Sequence, residues 1–250
     1  MAKISGLGVR LYAAGFDLSA DINTVSSMSM SSDLLDITAL DTSARKRLTG
    51  LGDGSIGVNG WFDAAAGQSH AAWTSNSNKL PTADQAVVVG MGTSRGDPGV
   101  GILAKQANYD VARTSGSAIA TTAAYESTGG SSLEWGVLLT SGKQTDGSAA
   151  TSASVDEGSG ASGSAPAGYL QVISLGSGEA TIKVQDSGND VSWSDKITFT
   201  SVTDRTFERV TASGSTGRYI RVTTTGTFSA RVCRNDVARL LTRYQSGSRR

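Results

Sequence analysis

Short apolar and β-branched runs recur along residues 8–139, and most are bounded by Gly, Asp or Ser. This pattern predicts β-strands separated by turns. We expect strands at Gly8 to Gly15, Leu34 to Leu40, Gly54 to Phe62, Gln85 to Met91, Val100 to Ala112, Ser117 to Tyr125 and Ser132 to Leu139. In the last of these, Leu133, Trp135, Val137 and Leu139 alternate, which indicates a strand with one buried side.

A second series of strand-like runs begins at Tyr169 and recurs about every ten residues, a spacing that favours an antiparallel sandwich. The runs are YLQVISL, EATIKVQD, DKITFTSV, TFERVTA, GRYIRVTTT and TFSARVC. In the tail, Val237, Leu240, Leu241 and Tyr244 have helical spacing. That spacing after an Asn/Asp cap predicts a terminal helical turn or two, and an extended arm is the alternative.

Residues 141–168 separate the two series and consist mainly of Gly, Ser, Ala and Thr. Such a stretch offers little to bury and is typical of a linker or a long surface loop. We therefore expect a first domain at 1–147, a linker at 148–167, and a second domain with a basic tail at 168–250.

One helix interrupts the strand pattern. Asp63 is a good N-cap for the segment AAAGQSHAAWTSN, which would place Trp73 and the alanines against a sheet. The chain also has 31 Gly and only 3 Pro. The sequence thus predicts an all-β fold with one flanking helix.

The formal net charge is zero, but the charge is unevenly distributed. Residues 1–165 hold 10 Lys and Arg against 15 Asp and Glu, while residues 166–250 hold 12 against 7. A nucleic-acid binder normally carries a basic domain or stripe, and here the larger part of the chain is acidic. No apolar run is long enough for a signal-peptide core or a membrane span.

Two sequence patterns, one of cofactor binding and one of catalysis, match the chain, but the residues that follow each match do not fit the structure it requires. Gly52, Gly54 and Gly57 fit the dinucleotide fingerprint, but SIGVNGWF, from Ser55 to Phe62, alternates like a strand where that fingerprint requires a helix. Ser94 lies in GTSRG, which resembles a nucleophile elbow, but Pro98 comes soon after it and the only histidine, His70, precedes it. One Cys and one His cannot supply a structural zinc site. We expect no enzyme activity, no cofactor and no metal.

The stretch SARKRLTGLGDGSIG carries the most informative local signals. Asp53 and Gly54, with Gly52 before them, predict a hairpin turn, because Asp-Gly favours backbone with positive φ. Arg45, Lys46 and Arg47 lie upstream, in a loop that is long and polar. Such loops are often functional, although a solvated charged surface is the alternative.

With these elements in order, the chain resembles a known family. LLDITALDTSARKRLTGLGDGSIGVNGWFDAAAGQSHAAW, from Leu34 to Trp73, is similar to the major tail tube proteins of long-tailed (siphovirus-type) bacteriophages, and Ala107 to Gly147 looks like later strands of the same domain. The resemblance implies a tail-tube-type β-sandwich or barrel domain that forms hexameric rings. The rings would stack into a hollow tube through which DNA passes. It also implies that Arg45, Lys46 and Arg47 lie on an inter-subunit loop.

The C-terminal part resembles the smaller antiparallel sandwiches, immunoglobulin-like or galactose-binding-like, that some tail tubes carry. Trp193 and Tyr219 are its candidate glycan platform, although core packing is the alternative for both. The alternative function is therefore a carbohydrate-binding or surface-adhesion module of a virion, such as a capsid decoration or receptor-binding protein.

The resemblance also implies partners and location. The partners would be further copies of the chain, the tape measure, tail terminator and distal tail proteins, and genomic DNA that passes without sequence-specific binding. The protein would be made in the host cytoplasm and incorporated into the virion tail.

Overall fold

The computed structural model describes residues 8–41, 43–75, 77–129, 132–158 and 165–228, and the backbone of residues 232–239. In chain order its elements are β1 (Arg10–Ala13), β2 (Phe16–Asp17), β3 (Ile22–Asp36), β4 (Arg47–Trp61), α1 (Ser69–Trp73), β5 (Gln85–Gly90), β6 (Pro98–Ala112), β7 (Ala120–Ser127), β8 (Glu134–Leu138), β9 (Gln144–Asp146), β10 (Ala150–Thr151), β11 (Val155–Asp156), β12 (Ala167–Ser174), β13 (Gly178–Ser187), β14 (Ser194–Thr198), β15 (Thr206–Thr211), β16 (Tyr219–Phe228) and β17 (Val232–Arg239). The prediction of an all-β fold with one helix is confirmed.

The chain forms two compact units. The first, here called the sandwich unit, comprises the chain up to Ser19, Ala86–Gly101 and the chain from Glu134 onward. The second, here called the arm unit, comprises Ala20–Gln85 and Ile102–Leu133. This division differs from the expected boundaries at 147 and 168, since residues on both sides of them belong to the sandwich unit. A boundary drawn from composition follows the chain, whereas strands from distant parts of the chain pair in one sheet.

The sandwich unit consists of two sheets that share one core. Neighbouring strands of the first sheet are β15, β12, β17, β8, β6, β5, β1 and β2 in that order, and β9 also pairs with β17. The second sheet has the order β10, β16, β13, β14, and β11 also pairs with β16. Alternate residues of β12, β13 and β16 point into the core between the sheets: Leu170, Val172, Ile182, Val184, Ile220 and Val222.

The described residues of 141–168, a segment expected to be a linker or loop, belong to this unit. They supply β9, β10, β11 and the start of β12. Val155 lies in the core, and buried Asp146 accepts a hydrogen bond from the Thr224 hydroxyl at 2.8 Å. Small residues can pair along a neighbouring strand through their backbones alone, so their composition hides the strands.

The expected burial pattern of β8 is confirmed only in part: Leu133 and Leu139 are buried and Val137 packs against the core, but Trp135 is 42% exposed. Glu134 and Leu138 are also buried. Glu134 accepts hydrogen bonds from the Arg209 guanidinium at 2.7 and 2.8 Å and from the Tyr169 hydroxyl. The apolar alternation did not reveal this arrangement because the buried position is a carboxylate whose partner is distant in sequence.

The arm unit contains a sheet with the order β3, β4, β7 and the second part of β6. Helix α1 packs on one face of it. There the Trp73 indole donates a hydrogen bond to the Tyr125 hydroxyl at 2.8 Å, and the Gln106 amide donates one to the Trp73 carbonyl at 3.3 Å. Ile56 and Val58 complete this buried face.

The helix is shorter than predicted and Asp63 does not cap it. The Asp63 carboxylate instead accepts a hydrogen bond from the Ala65 amide at 2.8 Å, within a turn. Gly67 then has a φ of 86°, which interrupts any helix that starts at Asp63. The helix begins only at Ser69 and is five residues long.

The tail prediction is resolved only in part. Residues Val232–Arg239 form β17, so the described portion of the tail is extended. The predicted helical positions Leu240, Leu241 and Tyr244 lie outside the described residues.

Candidate assembly surfaces

The arm, defined as residues 30–53, is a two-stranded ribbon that extends beyond the rest of its sheet. β3 and β4 pair over their full lengths, with Leu35 opposite Leu48 and Asp36 opposite Arg47. β7 pairs with β4 only from Ser55 onward, so the arm has no third strand among the described residues. An isolated two-stranded ribbon is at best marginally stable in water, which favours a partner for the arm.

Both faces of the arm expose large apolar side chains. Each of them is at least 48% exposed: Met30, Leu34, Leu35, Ile37, Leu40, Leu48 and Leu51. Scattered exposed apolar residues are normal, but a contiguous group of this kind marks an interaction surface. The sequence signal for this surface is weak, since these leucines alternate irregularly with Ser, Asp and Gly.

The connection between β3 and β4 closes through local hydrogen bonds. The Ile37 amide donates to the Lys46 carbonyl at 2.9 Å, and the Lys46 amide donates to the Thr38 hydroxyl at 2.9 Å. Hydrogen bonds from the Thr38 hydroxyl and amide hold the pKa of Asp36 below its usual value. These bonds close the connection at its base, between residues 37–38 and Lys46.

The three predicted loop cations lie at the tip of the arm. Arg45 and Lys46 precede β4, and Arg47 is its first residue. All three are exposed, and none of them forms an ion pair within the described part of the chain. Their position at an exposed tip fits the expected inter-subunit loop, and their contact with another subunit stays a prediction.

The predicted hairpin turn at Gly52, Asp53 and Gly54 is wrong, because all three residues lie inside β4. The Asp53 carboxylate accepts hydrogen bonds from the Gly54 amide at 2.7 Å and the Ser127 hydroxyl at 2.8 Å. A Cβ at Gly54 would lie 2.9 Å from the Leu133 backbone nitrogen. Gly54 is thus required by a close backbone approach rather than by a turn.

Both edges of the arm-unit sheet are open in the part of the chain that the structure describes. Among the described residues β3, which is 15 residues long, pairs with β4 alone. At the other edge β6 also has 15 residues, and its neighbour β5, with six, is too short to cover it. Unpaired edges present rows of free backbone groups that readily pair with another chain.

The sheet face opposite α1 is polar and acidic. Ser55 and Asn59 of β4 face the same side as Glu126 and Thr122 of β7, their register partners, and Asp110 lies beside Thr122. Lys105, opposite Glu126, is held by Asp84 at 2.6 Å. Partial burial and the nearby charge of Asp53 raise the pKa of Glu126.

The candidate glycan platform is not an open pair of rings. Trp193 is partly buried, and the Arg221 guanidinium lies 4.1 Å from its ring centroid. Tyr219 is also partly buried, and Arg218 lies 5.0 Å from its ring. Arg218 is in turn paired with Asp156 at 2.7 Å, which lowers the pKa of Asp156 to about 2. Glycan binding at these residues stays a prediction.

Other classes of site find no support in the described residues. No helix there is long and apolar enough to cross a membrane. The same residues contain no cluster of His, Cys, Asp and Glu that could hold a metal ion. His70 contacts the Tyr109 hydroxyl through Nδ1 at 3.0 Å, and its ring centroid lies 4.9 Å from that of Phe62.

Comparisons with known proteins return solved structures only. No protein-family model matches the chain, and no curated protein sequence matches it. A chain of the virion of a native gene transfer agent particle is 18% identical at a TM-score of 0.41, and the match covers 52% of this chain and 98% of the other. A chain from the tail of an empty particle of that kind, with C6 symmetry, is 18% identical at a TM-score of 0.40, over 52% and 96% of the two chains.

A third match covers more of the chain. The Dit (gp 19.1) protein of SPP1, described as a hub adsorption apparatus in phages that infect Gram-positive hosts, is 11% identical at a TM-score of 0.35. That match covers 88% of this chain and 99% of the Dit chain. The chain is similar to each of these proteins at low identity.

Proposed function

We propose that the protein is a structural component of a phage-type virion tail, built by side-by-side association of identical copies. The observation that carries this proposal is the arm-unit sheet, which has an open edge at β3 and another at β6. Pairing of β3 in one copy with β6 in the next would satisfy both edges. Repetition around a ring would leave no edge exposed, which is how barrels avoid uncontrolled aggregation.

The polar and acidic sheet face supports a channel in such a ring. The apolar face is already covered by α1, so the face with Asp53, Asp110 and Glu126 is free to line the interior. A lining without rows of cations would let DNA pass, because phosphate binding depends on Lys and Arg contacts. With six copies, as the sequence resemblance to tail tube proteins implies, the barrel would contain about 24 strands.

The resemblance supports the remaining parts of the proposal. The rings would stack into a tail tube that conducts DNA during ejection, and the tube would meet the tape measure, tail terminator and distal tail proteins. The absence of catalytic activity is proposed on the same resemblance.

Edge-blocking substitutions test the proposal. Lysine on an edge strand discourages pairing with a second edge, so Ser29→Lys with Ser31→Lys in β3 should prevent ring formation. Ser192→Lys, at an exposed position of the sandwich unit, is the control and should leave assembly unchanged. Analytical ultracentrifugation measures the oligomer distribution. Rings formed equally well by the β3 variant would contradict edge-to-edge assembly.

A further inference from the structure

Three separate elements of the sandwich unit line a polar cavity of about 230 Å³. The loop between β5 and β6 contributes Arg95, and β9 contributes Gln144 and Asp146. Strand β9 belongs to the first sheet and β10 to the second, so both sheets bound the cavity. The remaining lining comes from β10 and the residues after it: Ala150, Thr151, Ser152 and Ala153.

Arg95 is the cation of this cavity. Its side chain is partly buried, and its Nε donates a hydrogen bond to the Leu139 carbonyl at 3.1 Å, which orients the guanidinium. Its two terminal nitrogens have no hydrogen bond or ion pair to a described residue. These nitrogens are therefore available as donors to a ligand.

Asp146 and Gln144 supply acceptors. Asp146 is 5% exposed; one carboxylate oxygen accepts a hydrogen bond from the Thr224 hydroxyl at 2.8 Å and the other accepts one from the Gln144 amide nitrogen at 3.1 Å. An ionised carboxylate can accept about four hydrogen bonds. The Gln144 carbonyl oxygen has no hydrogen bond to a described residue and adds a further acceptor.

The charges of the lining select a class of ligand. Arg95 and Asp146 give the cavity a formal charge of zero. An anion would meet the Asp146 carboxylate, and a metal ion would meet the Arg95 guanidinium. An apolar ligand would remove water from both charged groups without replacing its hydrogen bonds. A neutral ligand with several hydroxyls fits best, because each hydroxyl both donates and accepts.

We infer that this cavity binds one neutral hexose unit, as a free sugar or at the end of a polysaccharide chain. Its volume lies below the roughly 300–1,000 Å³ of pockets for larger ligands, which limits it to a single ring. Polar groups from three elements approach such a ring from different sides. A zwitterionic amino acid would also match the two charges, but it gathers its polar groups at one carbon.

The inferred site is distinct from the candidate glycan platform, since neither Trp193 nor Tyr219 lines the cavity. It also goes beyond the proposed function, because sugar binding within one chain does not need association between copies.

Saturation-transfer NMR on the full-length chain tests the site. The probes are the methyl glycosides of glucose, galactose and mannose, and L-alanine and inorganic phosphate are the competitors. At least one glycoside should bind, and neither competitor should displace it. Arg95→Met keeps the aliphatic stem without the donors and should weaken binding about tenfold or more, since hydrogen bonds to charged groups are strong. Gln144→Leu should weaken binding several-fold.

Arg205→Met is the matched control. Arg205 belongs to the same unit, and its Nε also donates to a backbone carbonyl, that of Ile173, at 3.1 Å. It does not line the cavity, so this variant should bind the sugar like the wild-type chain. Melting temperatures of the three variants separate loss of the site from loss of the fold.

Glycoside binding that both cavity variants weaken and the control retains would support the inference. Absence of glycoside binding, displacement by alanine or phosphate, or wild-type affinity in two folded cavity variants would each overturn it. Binding that Trp193→Ala abolishes and Arg95→Met retains would place the site elsewhere and overturn it too. Electron microscopy of the same samples reports ring formation separately, so failure of the proposed function is distinguishable from failure of this site.

Discussion

At the residue scale, Glu126 provides a pH-dependent test of the acidic sheet face. Partial burial and the charge of Asp53 raise its pKa, so the fold disfavours its charged form. Glu126 therefore favours the folded state most at low pH, and this contribution is lost as the pH rises through the raised pKa. We expect Glu126→Gln to melt at a higher temperature than the wild-type chain at pH 7, with a smaller difference near pH 4. Calorimetry at both pH values measures this, and a difference that grows at pH 4 would contradict it.

The buried pair of Glu134 and Arg209 gives a second residue-scale prediction. Glu134 is 4% exposed, so removal of the Arg209 guanidinium would leave its buried carboxylate without a cation. Arg209→Ala should reduce the free energy of unfolding by about 3–5 kcal/mol, measured by urea denaturation. Glu134→Gln with Arg209→Met removes both charges and should recover much of that loss. A double variant as unstable as Arg209→Ala would show that the pair contributes mainly through packing.

At the element scale, strands were easier to predict than their ends and pairings. Apolar and β-branched runs bounded by turn residues correctly predicted β5, β6 and β7. The same reasoning missed most of β3, where Ser and Met alternate on an edge strand with little to bury. It also placed a turn at Asp53 and Gly54, because the Asp-Gly signal describes local backbone preference and not the close approach of Leu133.

The functional surface of the arm could likewise be predicted only in part from the sequence. The three cations were visible in the sequence, and so was their loop, but the exposed leucines beside them needed the structure. The acidic sheet face was also invisible, since Asp110 and Glu126 lie on different strands and share a face only through the register of β6 with β7. Surfaces that combine residues from several strands cannot be predicted without that register.

At the scale of the whole molecule, the two compact units change the expected result of truncation. The sequence predicts that residues 1–147 form a domain of their own. In the structure Tyr12, Val88 and Leu138 share a buried cluster with Tyr169 of β12. A chain that ends at Asp146 should therefore be poorly soluble and lack a cooperative melting transition. A soluble, cooperatively folded product would contradict the division into these units.

The acidic sheet face leads to a prediction for DNA. Few phosphates would be neutralised by a surface with Asp53, Asp110 and Glu126, so duplex DNA should bind weakly and with a shallow dependence on salt. Fluorescence anisotropy at several salt concentrations measures both properties. Tight binding with a steep salt dependence would favour a nucleic-acid-binding role instead.

Electron microscopy of the purified full-length chain tests the central claim most directly. Association through the open edges of β3 and β6 predicts rings of uniform diameter with a central channel, and stacked tubes at higher protein concentration. Isolated particles at every concentration would contradict self-assembly through these edges.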